Sequence, residues 1–168
     1  MGRFLKHNNP DLCLEICRVL KGKYMHLTRH TDYGMRILIY LALLPKNEKA
    51  SIDAVSTLYN ISRNNVNKIV HQLGKAKIIE TQRGKGGGFF LKLSPENINV
   101  GDMVILMEST LEIIDCETQK CRILPACKFK SILNEAKESF ISTLNKYTLA
   151  DLVAGSRDDL NNIFELSL

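Results

Sequence analysis

The sequence predicts a mainly α-helical protein with one small β-hairpin. Several segments carry apolar residues at helical spacing, and a Ser or Thr suited to helix capping precedes most of them. A glycine-rich basic segment, 83–88, separates two short runs of strand-forming residues, as in a hairpin. A long apolar stripe then fills the region after Pro125. We therefore expect short helices, a hairpin, a helix near 101–109, one long helix and a short terminal helix, in that order.

The first regular helix is predicted to begin at Thr31 and to stop at Pro45. Thr31 is a suitable N-cap, and Asp32 would then lie in the first turn, where the helix dipole favours a carboxylate. Pro45 cannot continue a helix because it lacks a backbone N–H. Residues 1–24 precede this unit and are predicted to be an N-terminal extension with one short amphipathic helix that carries Cys13 and Cys17.

Two shorter helices joined by a tight turn are predicted next. Ser51 caps the first, which ends at Asn60, and Ser62 caps the second, which runs to about Gly74. This arrangement has the form of a helix-turn-helix motif. The predicted inward positions are Ala54, Val55 and Leu58 in the first helix and Val66, Ile69, Val70 and Leu73 in the second.

The predicted strands, 77–82 and 89–93, make a β-hairpin wing after the helix-turn-helix. Pro125 then starts a helix whose apolar stripe covers about 20 residues, or roughly 30 Å. So long a stripe exceeds what a small domain can cover, and it predicts a dimerisation helix. Thr148 and Asp151 form a capping box for a short terminal helix. The predicted divisions are an extension (1–24), a winged helix-turn-helix domain (25–100), and a segment with a cysteine-containing loop and a dimerisation helix (101–168).

The charge of the chain is concentrated in one segment. Residues 62–92 carry seven basic side chains against Glu80 alone, a net +6, so the other 137 residues together carry −1 of the total of +5. A neutral body with one basic segment indicates contact with nucleic acid, although a solvated charged face is the alternative. The longest apolar run, 37–44, is too short to span a bilayer, and the N-terminus lacks the apolar core of a secretory signal. We therefore expect a cytoplasmic protein without a membrane segment.

The start of the second helix of the motif carries polar side chains suited to double-stranded DNA. Asn can pair bidentately with adenine in the major groove, and Arg and Lys reach phosphate or guanine. Three Asn among four positions disfavour a helix, which suggests a reason other than stability for their presence. An ordinary polar surface is the alternative for any single residue. The candidate residues are Ser62, Arg63, Asn64, Asn65, Asn67 and Lys68.

The wing tip adds two further candidates, Arg83 and Lys85. Glycines permit a tight turn close to DNA, and a basic side chain on such a tip suits a narrow minor groove. A nucleotide-binding glycine loop is the competing interpretation. Such a loop ends in Lys-Ser/Thr and opens a helix, whereas this segment lies between strands.

Three cysteines, Cys116, Cys121 and Cys127, lie close together after the wing. Three clustered thiols in a chain without a secretory signal are more typical of a metal or redox site than of structural disulfides. Structural zinc, an iron–sulfur cluster and a reversible disulfide are all compatible with this spacing. Zinc sites generally need a second pair of ligands, which is not evident, and a disulfide switch needs only two thiols. The spacing therefore favours a cluster only slightly.

These motifs together resemble the NsrR family of nitric-oxide-sensing iron–sulfur repressors. The likeness extends from Met25 to about Val153, and residues 1–24 fall outside it. The motifs that carry it are the segment 25–36 (MHLTRHTDYGMR), the Ser-Arg-Asn helix start at 62–64, the wing 83–88 (RGKGGG), the cysteine triplet and the segment 147–153 (YTLADLV).

The resemblance implies a homodimeric winged-helix repressor with a four-iron or two-iron cluster, whose nitrosylation releases promoter DNA. It also implies a fourth ligand, an aspartate at the start of the first helix that comes from the partner subunit, and Asp32 occupies that position. The sister regulator IscR uses a histidine three residues after the last cysteine, where this chain has Lys130. Without the resemblance, Asp32 is better explained as a carboxylate that stabilises the helix start.

The sequence therefore predicts a DNA-binding repressor that senses nitric oxide. A winged-helix regulator that responds to iron–sulfur supply or redox state is the alternative of the same class. An iron–sulfur or thiol redox enzyme ranks last, because the chain shows no Ser/His/Asp or paired-carboxylate arrangement.

Overall fold

The computed structural model describes residues 26–45, 48–84, 86–116 and 118–164. The predicted N-terminal helix with Cys13 and Cys17 lies outside these ranges. The elements in chain order are α1 (Arg29–Leu43), α2 (Ile52–Tyr59), α3 (Arg63–Lys75), β1 (Ile79–Gln82), β2 (Gly88–Leu91), α4 (Val100–Met107), α5 (Lys128–Leu144), α6 (Leu149–Ala154) and α7 (Arg157–Ile163). The predicted fold class, mainly helical with a small hairpin, is confirmed.

The N-cap of helix α1 lies three residues earlier than the sequence predicts. Its N-cap is Thr28, whose hydroxyl oxygen accepts a hydrogen bond from the Thr31 N–H at 3.4 Å. The predicted cap, Thr31, lies inside the helix, is fully buried, and donates its hydroxyl to Glu108 Oε1 at 2.6 Å. The prediction of Thr31 as the cap was wrong because two threonines of equal capping ability stand in this segment. Asp32 does lie in the first turn, as predicted.

Helices α2 and α3 form the predicted helix-turn-helix. Both predicted caps are present, since Ser51 Oγ accepts from the Ala54 N–H at 3.0 Å and Ser62 Oγ accepts from the Asn65 N–H at 3.3 Å. All four predicted inward residues of α3 are buried: Val66, Ile69, Val70 and Leu73.

The predicted inner face of α2 is largely wrong. Only Val55 is buried there, whereas Ala54 and Leu58 are exposed. Ile52 and Tyr59 pack against the core in their place. In a helix of eight residues two neighbouring faces carry similar apolar patterns, so periodicity alone does not choose between them.

The wing is an antiparallel hairpin in which Ile79 pairs with Leu91 and Gln82 pairs with Gly88. At its tip, Gly84 and Gly86 have φ values of 98° and 77°, which glycine adopts without steric cost. A short bridge joins the wing to the loop before α2, because Ala50 and Phe89 exchange two backbone hydrogen bonds of 2.9 Å. The wing is therefore held against the helix-turn-helix.

One hydrophobic core joins α1, α2, α3, the wing, α4 and α6. The predicted capping box is present at the start of α6, where Thr148 and Asp151 bond reciprocally. Helix α7 was not predicted, and the Arg157 guanidinium anchors it by donating to the Ala42 carbonyl at 3.1 Å. The C-terminal helices thus return to α1 after the long helix.

Helix α5 differs from the others because none of its residues is buried. It starts at Lys128, after a short 3₁₀ turn that contains the predicted first residue, Pro125. Its 17 residues span about 25 Å, and Phe129 and Ile132 are 58% and 59% exposed. Its apolar stripe is therefore present and largely uncovered. Among the described residues no helix is long and apolar enough to cross a membrane.

Candidate nucleic-acid interface and cysteine loop

The polar residues predicted to contact DNA are all exposed at the N-terminal end of α3. Buried Val66 and Ile69 orient the helix, and its first two turns then project their polar side chains into solvent. The predicted residues that are exposed are Ser62, Arg63, Asn64, Asn65, Asn67 and Lys68. Without an acidic side chain in its first turn, α3 also presents the positive end of its dipole and its free N–H groups.

Two of these side chains already have partners within the chain. Ser62 Oγ accepts the capping bond, which leaves its hydroxyl proton available to donate to a phosphate oxygen. Arg63 forms an ion pair with Asp53 of α2, and the two side chains are 66% and 64% exposed. Such an exposed pair contributes only about 0–1 kcal/mol, so a DNA phosphate can compete for Arg63.

The wing tip carries a basic side chain, and the wing follows the helix-turn-helix in the chain order typical of a winged helix. Arg83 is exposed where β1 ends. The second predicted wing residue, Lys85, lies outside the described residues.

The cysteine loop, defined here as residues 109–127, connects α4 to α5. Its three thiols are partly exposed and none is in a disulfide. The Cys121 N–H donates to the Cys116 carbonyl at 3.2 Å, which brings the backbone of these two residues together. Cys127 is the N-cap of α5, and its Sγ accepts from the Lys130 N–H at 3.5 Å. A thiolate there faces a helix N-terminus, which favours negative charge.

The donor set of this loop fits an iron–sulfur cluster in chemical type, because thiolates are its usual ligands. The geometry within one chain is incomplete. Among the described residues, no group of three or more His, Cys, Asp or Glu side chains is arranged to hold a metal ion. The structure therefore supplies the three thiols on one loop without assembling them around a common point.

Asp32, the predicted fourth ligand, is paired with Arg36 one turn along α1. Its two carboxylate oxygens accept from Arg36 Nε at 2.9 Å and Nη2 at 2.8 Å. The hydrogen bond that Arg36 donates to Asp32 raises the pKa of Arg36, although desolvation opposes this. Because the two side chains are 45% and 47% exposed, the pair is weak and can open at low cost.

A carboxylate that the sequence did not single out ties the cysteine loop to α1. Glu108, which follows α4, accepts three hydrogen bonds on Oε1: from the Thr28 N–H at 2.7 Å, the Thr28 hydroxyl at 3.1 Å and the Thr31 hydroxyl at 2.6 Å. Next to it, the Met107 side chain lies against Gly34, where a Cβ atom would approach it to 3.0 Å. No local sequence signal reveals this contact, since Glu108 and Thr28 are 80 residues apart.

Stability should depend on this carboxylate in a pH-sensitive way. Burial raises the pKa of Glu108, but the hydrogen bonds from Thr31 and Thr28 outweigh burial and lower it overall. Because the pKa of Glu108 is lower in the folded state, its carboxylate contributes fully to the free energy of unfolding above the ordinary pKa of glutamate. This contribution is lost as the pH falls through the folded-state pKa. Glu108→Gln should cost roughly 1–2 kcal/mol at neutral pH, and the difference from wild type should shrink in acid, as measured by urea unfolding.

The matched control is Glu112→Gln, in which the carboxylate pairs with Lys137 at 2.8 Å on the surface. It should have a smaller effect than Glu108→Gln at neutral pH. Equal effects of the two replacements would show that the bonds to Thr28 and Thr31 do not stabilise the fold.

Comparison with known proteins identifies the family. The model of Rrf2, described as an iron-dependent transcriptional regulator, matches residues 27–155. The chain belongs to the Rrf2 family. This chain is similar to the HTH-type transcriptional regulator NsrR of Shouchella clausii. The two sequences are 42% identical over 84% of this chain and 96% of that relative. The HTH-type transcriptional regulator NsrR of Halalkalibacterium halodurans is also 42% identical, over 84% of this chain and 99% of its own length.

Solved structures support the same fold. The structure titled T. potens IscR superposes with a TM-score of 0.61 and 23% identity, covering 79% of this chain and 88% of that one. As an Rrf2 member, the chain is a transcriptional regulator, and its relatives are regulators rather than enzymes. The predicted resemblance to NsrR is therefore confirmed.

Proposed function

We propose that this Rrf2 regulator is a homodimeric repressor that binds promoter DNA while an iron–sulfur cluster is intact and releases the DNA on exposure to nitric oxide. The observation that carries the proposal is the position of the three free thiols, Cys116, Cys121 and Cys127, on one loop between the DNA-reading domain and the exposed helix α5. The NsrR name of the two 42%-identical relatives supports the choice of signal. A cytoplasmic location follows from that role.

The three thiolates and Asp32 are the residues that would hold the cluster. When bound, the cluster supplies an iron whose oxygen ligand is weaker than thiolate, a site open to nitric oxide. Asp32 would reach this site from the partner subunit, and its carboxylate would then exchange Arg36 for iron. The exposed, weak Asp32–Arg36 pair makes that exchange inexpensive. A ligand shared between subunits would link the cluster to the spacing of the two reading helices.

The DNA contacts follow from the exposed surface of α3. In the major groove, Asn64, Asn65 and Asn67 would pair with base edges, and Arg63 and Lys68 would meet phosphates. Ser62 would donate its hydroxyl to a phosphate at the helix start. Arg83 and Lys85 on the wing would enter the adjacent minor groove.

The proposal is tested on anaerobically purified protein. We expect a brown protein whose native mass gives iron and sulfide content, two-iron or four-iron, per subunit. It should bind its promoter DNA, and nitric oxide should bleach the absorption and release the DNA. A colourless, zinc-containing protein would refute the cluster, and the sensor role with it.

A second candidate function is supported by the description of the family as iron-dependent. In that case the protein would respond to iron–sulfur supply or redox state. DNA binding that persists after nitric oxide but is lost when the cluster is removed would favour this alternative.

A further inference from the structure

The side chain of Gln72 connects three helices at the point where the cysteine loop begins. It projects from the C-terminal half of α3 and is half-buried. Its Oε1 lies 2.6 Å from Nε2 of His30 in the first turn of α1. Its Nε2 donates to the Leu106 carbonyl, in the last turn of α4, at 2.6 Å. One amide thus joins the recognition helix to α1 and to α4.

The acceptor at Leu106, its backbone carbonyl, determines the direction of both hydrogen bonds. A carbonyl only accepts, so the Gln72 amide nitrogen must face Leu106 and its oxygen must face His30. His30 therefore donates through Nε2. Because the last carbonyls of a helix have no partner within that helix, Gln72 satisfies one of the unpaired groups at the end of α4. Neither bond is local in sequence, since the partners of Gln72 are 42 and 34 residues away.

The end of α4 is a junction formed by three successive residues. Leu106 accepts from Gln72, Met107 lies against Gly34, and Glu108 accepts from the start of α1. The cysteine loop begins at the next residue, so any shift of that loop acts first on this junction. Of the three contacts, only the one through Gln72 reaches α3, which carries the DNA-facing side chains.

We propose that Gln72 is a positioning residue that couples the state of the cysteine loop to the recognition helix. This inference rests on the proposed function, in which that loop holds the cluster. Through Gln72 the end of α4 sets the position of α3. The start of α1, which carries the proposed cluster ligand Asp32, is held at the same junction through His30. Movement of the loop on cluster damage then reaches α3 through one amide.

The test measures DNA affinity with and without the cluster in wild type and in two Gln72 variants. Gln72→Leu removes both hydrogen bonds at similar side-chain size. Gln72→Glu keeps the acceptor for His30 and removes the donor to Leu106. In both variants the ratio of cluster-loaded to cluster-free affinity should fall about 2- to 30-fold, while cluster content per subunit stays as in wild type.

The matched control is Gln82→Leu, the same replacement at an exposed glutamine of β1, which should keep the wild-type ratio. A Gln72→Leu variant that loses affinity equally in both states, or that keeps the wild-type ratio, overturns the coupling role. If Gln72→Leu does not fold, Gln72→Glu decides by the same criterion. A wild-type protein whose affinity does not depend on the cluster overturns the proposed function itself, and the coupling with it.

Discussion

Cys121→Ser is expected to abolish the iron–sulfur cluster and to lower promoter affinity under anaerobic conditions to that of the cluster-free protein. Cys121 is the middle thiol of the loop, and a serine hydroxyl is a poor substitute for a thiolate as an iron ligand. A coupling between cluster and DNA in the usual allosteric range corresponds to a loss of about 5- to 150-fold. Visible absorption, iron and sulfide analysis and DNA titration on the same sample measure the effect.

The chain offers a matched control in Cys13→Ser, the same chemical change outside the triplet. This variant should keep its cluster and its affinity. Retention of a full cluster by Cys121→Ser would contradict the assignment of the triplet as ligands.

Asp32→Ala should keep the three thiolate ligands but yield a cluster that is lost faster than in wild type. An unchanged rate of cluster loss would show that Asp32 only pairs with Arg36 and is not a ligand.

Ile132→Glu is expected to convert the proposed dimer into monomers. Affinity for a palindromic site should then fall by at least about 100-fold, because two linked half-site contacts raise affinity by that factor or more. Ile132 is 59% exposed on α5, in an apolar stripe whose N-terminal part, with Phe129 at 58%, is the part that the described residues leave most exposed. A carboxylate buried in a helix–helix contact has no compensating partner, so its desolvation opposes association. Sedimentation or native mass gives the oligomeric state.

Ser131→Glu is the control, because Ser131 is exposed and adjoins Ile132 in sequence but lies about 100° away around the helix, away from the apolar stripe. It introduces the same charge and should leave the dimer intact. If Ile132→Glu remained dimeric with unchanged affinity, α5 would not be the dimerisation helix.

Most of the fold could be predicted because its signals are local. Ser51, Ser62 and Thr148 each cap a helix through an N–H three residues ahead, a distance that sequence inspection covers directly. The glycine-rich tip predicts the two strands on either side of it. The helical spacing of apolar residues over the 13 residues of α3 predicts its buried face. The candidate DNA contacts follow in turn, as the polar positions that this face leaves exposed.

The sequence by itself therefore determined the class of protein, the order of the helix-turn-helix, the wing and the long helix, and the polar positions that α3 leaves exposed. Only the tertiary structure decided between Thr28 and Thr31 as the cap of α1, because that choice depends on Glu108, 77 residues beyond Thr31. The same holds for the junction through Gln72, whose partners belong to two other helices. Capping and periodicity act between neighbours along the chain, whereas these hydrogen bonds exist only after distant segments have packed together.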